Sequence, residues 1–565
     1  MRRIAVLAFL LSAACAPSQP PRSESTVTLA IVNARVWTGD AARPSAEAVA
    51  VSGDRIVAVG TNDEIRRAAG LSAGASERAG LELVDAGGQF LVPGFIDTHV
   101  HFLEGGSRLA SVQLRDAKTR DEFVARIGAF AKTVPAGTWI TGGDWDHQLW
   151  GGDLPRRDWI DGVTPDHPVW VNRLDGHMAL ANSAALRATG VTRAAKDVAG
   201  GEIVRDARGE LTGLLKDNAM DLVAAKMPPP TDQMQDRALE AAMRYVGEQG
   251  VTTVHQMGTW DDLAVLDRAN KAGRLRTRVY AAVPLNTWER LAEAVKAKTY
   301  GPEGRGDQWL RVGGLKGFVD GSLGSHTAAF HEPFTDAPKD RGFFVNTPED
   351  LYTWISGADA AGLHVMVHAI GDRANQTLLD IYERVAKEHG VRDRRFRIEH
   401  AQHLAPADIP RFAALGVIPS MQPYHAIDDG RWAEKVIGPE RALGTYAFRS
   451  LLDAQASLAF GSDWFVAPPT PLEGIYAAVT RRTLDDRNPD GWVPSQKITV
   501  EQALVAYTRA GAYASFEEKE KGVIAAGMLA DLALIDQDLR AIQAPEIRDA
   551  KVTRTIVGGK TVFAR

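Results

Sequence analysis

The chain has 565 residues, of which 45% are hydrophobic and 24% charged, an ordinary globular composition with ample length to bury a core. Its net charge is −6 with both signs interspersed, so no basic block indicates nucleic-acid binding and no acidic tail indicates an interaction segment. The length predicts roughly two to four structural units, and function must come from local sites.

Residues 1–22 are predicted to be an export signal and a polar, proline-rich tether. A charged start, Arg2–Arg3, precedes a short apolar run, Ile4–Leu11, that cannot span a bilayer. The small residues that follow end at Cys15, the only cysteine, which resembles a bacterial lipoprotein signal and predicts a lipid anchor. Ordinary cleavage near Ala16 is the alternative. Both interpretations predict an exported protein, either free in the periplasm or anchored to a membrane, and one cysteine excludes an internal disulfide.

Both ends of the chain are predicted to form β structure. Residues 23–92 and 511–565 alternate apolar and polar positions around Gly-Asp and Gly-Gly turns. Because the termini of a domain commonly lie close together, we expect these segments to form one small β-sandwich built from both chain ends.

The middle of the chain alternates apolar strand-length runs with helical stretches. Eight buried strands separated by helices predict a parallel sheet closed into a (β/α)8 TIM-like barrel, with its first strand in 93–104 and the rest in 231–510. The segment between the first two strands is far too long for one loop and helix. Residues 105–230 are therefore predicted to be an inserted subdomain, which is rich in tryptophan. The eight predicted strands are Phe95–Val100, Thr252–His255, Arg278–Val283, Gly314–Val319, His364–His368, Arg397–His400, Val417–Met421 and Leu458–Gly461.

Titratable side chains lie at the ends of several of these strands. His99 and His101 are two positions apart on a strand and point to the same side, which suits one metal ion, although such a pair alone also arises by chance. Strand ends converge on one mouth of a barrel, where active sites form, and a buried charge needs a partner or a metal. The other such residues are His255, Lys316, His368, His400 and Asp463.

This set, in its order and strand numbers, resembles the amidohydrolase superfamily. Longer strings resemble its YtcJ-like branch, also called amidohydrolase 3, which includes N-substituted formamide deformylase. The strings are VPGFIDTHVHF, GGDWDHQLW, DGHMALANSAAL, FVDGSLGSHTAAF, HAIGDRA, RIEHAQ and GMLADLALID.

The resemblance implies a centre of two divalent metal ions, with zinc expected and manganese, iron or cobalt also suited to the ligands. The implied ligands are His99, His101, Lys316, His368, His400 and Asp463. The first two histidines and the aspartate would hold one ion. The lysine, as a carbamate, would bridge to a second ion held by the other two histidines. Asp463 would also be the catalytic base that takes a proton from the metal-activated water.

Several further residues have two interpretations each. Lys216, inside the insertion, is a rival for the carbamate or else a surface lysine or substrate contact. Trp145 and His177 are predicted to contact substrate, or else to pack within the insertion. His255 and Asp320 are predicted to support the metal ligands from behind, or else to be structural.

The sequence therefore predicts a metal-dependent hydrolase that cleaves an amide-like, non-peptide C–N bond of a small molecule outside the cytoplasm. Ester or lactone hydrolysis on the same centre is the enzymatic alternative, and an exported binding protein without catalysis is the non-enzymatic one. The expected partners are a small-molecule substrate and a membrane through the lipid anchor, with a homodimer left open and no nucleic acid.

Overall fold

The computed structural model describes residues 26–71 and 77–565. The predicted export signal, including Cys15, lies outside the described residues. Among the helices that are described, none is both long and apolar enough to cross a membrane.

A parallel sheet of eight strands forms the centre of the molecule, and we number these strands β1 to β8 in chain order. They are Phe95–Val100, Val251–Met257, Arg278–Pro284, Leu310–Phe318, His364–Ala369, Arg397–His400, Ile418–Met421 and Ala459–Phe460. Each strand pairs with the next one in the chain, so the sheet runs from β1 to β8 without a crossover. All eight strands predicted from the apolar runs are thereby confirmed.

The barrel closes where β8 meets β1. Val100 and Trp464 form a parallel bridge, and the Asp463 amide donates to the His99 carbonyl at 2.7 Å. Every residue of β1 and β2 is buried, as expected for parallel strands covered on both faces. The carboxyl ends of the strands therefore form one closed rim.

Helices follow most barrel strands and cover their outer faces. Asp372–His389 is typical, because it buries Leu378, Leu379, Tyr382 and Val385 on one side and exposes a charged side. The α-helices are Asn62–Ala68, Phe102–Arg108, Arg120–Ala131, Arg157–Ile160, Ser183–Thr189, Asp221–Ala224, Asp232–Glu248, Trp260–Lys271, Trp288–Lys296, Pro348–Ala360, Asp372–His389, Ile409–Leu415, Pro423–Asp429, Ala433–Ile437, Pro439–Ala442, Phe448–Asp453, Pro471–Thr480, Val500–Ala506 and Arg509–Ala514.

Two further sheets use the ends of the described chain. One contains Leu29–Val32, Ala48–Ser52, Arg55–Gly60 and Glu82–Asp85. The other contains Arg35–Trp37, Ser45–Ala46, Phe90–Pro93, Leu532–Ile535, Val552–Val557 and Lys560–Ala564. In the second sheet Phe90–Pro93 pairs antiparallel with Leu532–Ile535, so strands from both ends do come together as predicted. Apolar residues of the two sheets share one core.

The segment between β1 and β2 contains a six-stranded sheet of its own. Its strands are Val112–Gln113, Ile140–Trp145, Val169–Arg173, Met178–Ala181, Gly201–Arg205 and Leu211–Asp217. Apolar side chains on one face, including Trp145, form a separate core with the helix Arg120–Ala131. Polar residues of this insertion, among them Arg173, Asp175 and His177, line the mouth of the barrel.

A buried ion pair joins the barrel to the sheet at the chain ends. Asp531 accepts hydrogen bonds from Arg278 Nε at 2.7 Å and Nη2 at 3.0 Å, and both side chains are at most 5% exposed. Replacing one partner would leave a buried charge without its counter-ion.

We expect Asp531→Ala to lower the free energy of unfolding by about 3–5 kcal/mol in urea denaturation. Asp453→Ala is the matched control, because Asp453 pairs with Arg449 in solvent, and it should cost about 1 kcal/mol or less. Equal costs for the two variants would show that the buried pair does not hold the sheet to the barrel.

Candidate metal centre

Three potential metal ligands meet where β1 and β8 end. Asp463 Oδ1 lies 3.4 Å from the Nε2 atoms of both His99 and His101. One ligand atom from each residue falls within 4.8 Å of the others. The two histidines share a side of β1, as the alternation of strand side chains requires. The arrangement can hold one ion.

Lys316 on β4 enters the same cluster. Its Nζ lies 3.1 Å from His99 Nε2, and the side chain is buried. Burial lowers the pKa of Lys316 to about 8, so the amine loses its proton far more easily than a surface lysine. Lys216, the rival for this role, instead pairs with Glu202 at 2.9 Å within the insertion.

Three more histidines complete the cluster. The rings of His368 and His400 are 4.5 Å apart between centroids, and His400 lies 4.9 Å from His99. His425, in the helix Pro423–Asp429 after β7, forms a second group of potential ligands with His400 and Asp463. Its Nε2 is buried without a hydrogen-bond partner among the described residues. All six predicted ligands are thus brought together, with His425 beside them.

The hydrogen bonds of three histidines fix the ring nitrogen on which each carries the lone pair that a metal would use. His99 Nδ1 lies 2.7 Å from Glu399 Oε2 and His400 Nδ1 lies 2.8 Å from Gln422 Oε1, so each donates its Nδ1–H and keeps a lone pair on Nε2. His368 Nε2 lies 3.0 Å from the Gly321 carbonyl and donates to it, which leaves its lone pair on Nδ1.

The protonation states suit metal binding. Burial lowers the pKa of His99, His368 and His400 well below the ordinary value, so these imidazoles are neutral, as metal ligands must be. Burial alone would raise the pKa of Asp463, but His99 and His101 outweigh it and hold that pKa at about 2. Neutral imidazoles around a carboxylate are the donors that zinc and similar divalent ions prefer.

Glu399 anchors the cluster from behind. It binds His99 through Oε2 and accepts from Arg397 Nε at 2.7 Å through Oε1, with both side chains fully buried. Arg397 also donates to His255 Nδ1 at 2.8 Å. His255 therefore lies behind the ligands and reaches them through Arg397 and Glu399.

Asp320 supports the other side of the cluster. Its carboxylate accepts from the amides of Ala329, Ile370 and Gly371 at 2.8 to 3.0 Å and lies 3.6 Å from His368 Nε2. These bonds fix the loops after β4 and β5, the strands that carry Lys316 and His368.

The cluster forms one wall of a cavity of about 260 Å³, which is lined by His101, Lys316, His368, His400 and Asp463. His177 also lines it, with its ring 5.0 Å from that of His368 and its Nδ1 2.6 Å from Asp217 Oδ1. Trp145 does not reach the cavity. It is fully buried in the core of the insertion, where its indole N–H donates to the Val171 carbonyl at 2.9 Å. Of the two predicted substrate contacts, the structure brings only His177 to the cavity.

Residues 82–563 match the amidohydrolase family, which is most of the chain. The chain belongs to this family. Its fold resembles a metal-dependent hydrolase from Pyrococcus horikoshii, with a TM-score of 0.73, 26% identity, and 92% of this chain and 99% of the other covered. The metal ligands implied by the resemblance thus lie in a metal-dependent hydrolase fold.

Three relatives extend over nearly the whole chain. Protein LONG AFTER FAR-RED 3 of Arabidopsis thaliana is 39% identical, over 97% of this chain and 93% of its own. Putative amidohydrolase YtcJ of Bacillus subtilis is 31% identical, over 91% and 97%. N-substituted formamide deformylase of Arthrobacter pascens is 29% identical, over 95% and 98%. The predicted YtcJ-like resemblance is confirmed.

Sequence reasoning missed His425 and the pairing of Glu399 with His99. His425 lies in a helix, where neither strand alternation nor a strand end marks it. The sequence indicates that Glu399, beside His400, either orients a metal ligand by a hydrogen bond or is structural, but not that the ligand is His99, which lies 300 positions away. The only sequence signal for the role of Glu399 is its position beside Arg397 and His400 in the string RIEH.

Glu399→Gln should weaken metal binding by this amidohydrolase about 10- to 100-fold, because a neutral amide holds His99 less firmly than a carboxylate does. A competition titration with a chelator measures the affinity, and circular dichroism checks that the variant is folded. Glu388→Gln, an exposed partner of Arg384, is the control and should bind metal as the wild type does. Unchanged affinity in folded Glu399→Gln would show that this bond does not orient a ligand.

Proposed function

We propose that this amidohydrolase cleaves an amide-like, non-peptide C–N bond of a small molecule. The proposal rests on one observation: neutral imidazoles, a buried lysine and an ionised aspartate share one wall of a cavity. A cavity of about 260 Å³ suits a small organic substrate. The 29% identity to N-substituted formamide deformylase favours a formamide or related N-acyl group over an ester.

The donor set fits two divalent ions, and we propose zinc. His99, His101 and Asp463 would hold one ion. Lys316, His368 and His400 would hold the other. Divalent ions there supply Lewis-acid chemistry, polarising a carbonyl oxygen and lowering the pKa of a water molecule towards about 7.

Lys316 needs a chemical change to act as an anionic ligand. Its neutral amine can attack carbon dioxide, forming an N–C bond and releasing one proton, and the product is a carbamate with two oxygen donors. The lowered pKa, about 8, makes the required neutral amine available near pH 7. The carbamate would also replace a positive charge beside His99 with a negative one.

Asp463 is placed to move the proton. Its carboxylate borders the cavity, and its low pKa keeps it ionised before the substrate reacts. We propose that it accepts one proton from the attacking water and passes it to the nitrogen of the leaving amine. Water and amide would thereby give a carboxylic acid and an amine. His99 and His101 would hold metal without taking part in this transfer.

A panel of N-formyl amines, N-acyl amines, and the matching esters tests the substrate class with the metal-loaded protein. We expect kcat/KM to be highest for an N-formyl or N-acyl amine. A higher kcat/KM for the matching ester would replace the proposal with esterase activity. Tight binding of the panel without turnover would favour a binding protein.

Asp463→Asn should reduce kcat at least about 100-fold while retaining much of its metal, because the amide keeps an oxygen ligand and loses the basicity. His99→Ala is the comparison. It should lose metal, and its activity should partly return when excess metal is added. Near wild-type kcat in metal-loaded Asp463→Asn would contradict the role of Asp463 as the base.

A further inference from the structure

A second cavity, of about 300 Å³, opens at the other end of the barrel. It lies where β3, β4 and β5 begin, and Arg311 and Lys316 are five residues apart on β4, or roughly 16 Å at the rise of a strand. The cavity is therefore separate from the candidate metal centre. Its polar lining includes Tyr280, His364, four arginines and one carboxylate, that of Asp393. The arginines are Arg305, Arg311, Arg392 and Arg394.

Two of these arginines share one carboxylate. Arg394 Nε lies 2.9 Å from Asp359 Oδ1, and Arg392 contacts the same oxygen. Asp359 is fully buried and also accepts from His389 Nδ1 at 2.8 Å. One negative charge therefore faces two guanidinium groups, and the partners of Asp359 already occupy both of its oxygens.

A third arginine has its own carboxylate partners. Arg395, behind the cavity, pairs with Asp393 and with Glu518, each at 2.9 Å. The charges of these two carboxylates are thus neutralised in part by Arg395.

The remaining two arginines lack a carboxylate partner. Within residues 26–71 and 77–565, neither Arg305 nor Arg311 forms an ion pair. Among the residues that the structure describes, Arg305 donates only to the Gly362 carbonyl, at 2.8 Å, and the Arg311 guanidinium forms no hydrogen bond. Five guanidinium groups in and around the cavity face the carboxylates of Asp359, Asp393 and Glu518. The nearby Glu517 pairs with Lys521 at 3.0 Å, so an excess of two positive charges remains.

The backbone and the cavity floor leave room for an anion. A Cβ atom at Gly313 would lie 3.0 Å from Arg305 Nη1, so the absent side chain keeps space for this guanidinium. On the floor, His364 Nε2–H donates to the Arg395 carbonyl and Nδ1 accepts from the Tyr280 hydroxyl at 2.9 Å. Neither group adds a negative charge that would repel an anion.

We propose that this cavity binds the phosphate group of a small molecule, through the guanidinium groups of Arg305 and Arg311. Unpaired charges in a half-buried place favour an oxyanion, and planar guanidinium groups match phosphate oxygens in pairs. Arg392 and Arg394 add positive potential at the rim. The ligand would occupy a site apart from the one where we propose hydrolysis, so its binding does not depend on the proposed reaction.

Isothermal titration calorimetry of the metal-loaded protein with inorganic phosphate, at constant ionic strength, tests the proposal. We expect saturable binding to the wild type and affinity at least about tenfold weaker in the Arg305→Gln/Arg311→Gln double variant, since each charged hydrogen bond is strong. Arg449→Gln, in an exposed pair on another helix, should bind as the wild type does. Arg311→Lys keeps the positive charge but loses the planar guanidinium group that donates two parallel hydrogen bonds, so it should bind phosphate with intermediate affinity.

The thermal unfolding temperature without phosphate separates this role from a structural one. Because the Arg311 guanidinium has no partner in the described part of the chain, Arg311→Gln should leave that temperature unchanged while weakening phosphate binding. This single variant replaces the double variant if the double variant does not fold. Phosphate affinity that is equal in the wild type and in Arg311→Gln would place the anion elsewhere, for example at the metals, and would overturn the proposal. So would the absence of saturable binding to the wild type.

Discussion

The hydrogen bonds that close the barrel are made by the candidate metal ligands themselves. The Asp463 amide donates to the His99 carbonyl at 2.7 Å, and the His101 amide donates to the Trp464 carbonyl at 2.5 Å. Residues from opposite ends of the sheet are thus fixed side by side by their backbone, before any metal binds. Their side chains then need little rearrangement to share one ion, and preorganised ligands bind with less entropic cost.

Closing the barrel in this way buries several charged groups, and the structure compensates for each. Glu399 lies between His99 and Arg397, and Asp320 accepts three backbone amides. These partners also hold the imidazole rings in the tautomers that point a lone pair into the cluster. The same contacts thus stabilise the fold and orient the ligands. Within residues 26–71 and 77–565, Lys316 forms no ion pair of its own, and its burial lowers its pKa to about 8, which is why we assign a chemical modification to it.

The barrel and most of the cluster could be predicted from sequence because both depend on local patterns. A buried parallel strand is an apolar run, and a histidine, lysine or aspartate at its end stands out, as at Lys316 and Asp463. The role of Trp145 could not be predicted in this way, because aromatic content does not tell which side of a sheet a tryptophan faces. His425 was missed because its place depends on how a helix packs over the mouth.

The two ends of the barrel differ in charge and chemistry. Neutral imidazoles and an ionised aspartate surround the carboxyl ends of the strands, whereas unpaired guanidinium groups surround the amino ends of β3 to β5. One scaffold thus offers a place for cations at one end and a place for an anion at the other. Catalysis at strand ends is general for such barrels, since the loops there can vary without disturbing the core.

The central claim is that one cluster, completed by a carbamate on Lys316, holds the catalytic metals. A crystal structure of the zinc-loaded protein, with anomalous diffraction at the zinc edge, tests it directly. We expect one zinc peak among His99, His101 and Asp463, a second beside His368 and His400, and extra density on Lys316 Nζ between them. Zinc peaks remote from these side chains, or an unmodified Lys316 directed away from the metals, would contradict it.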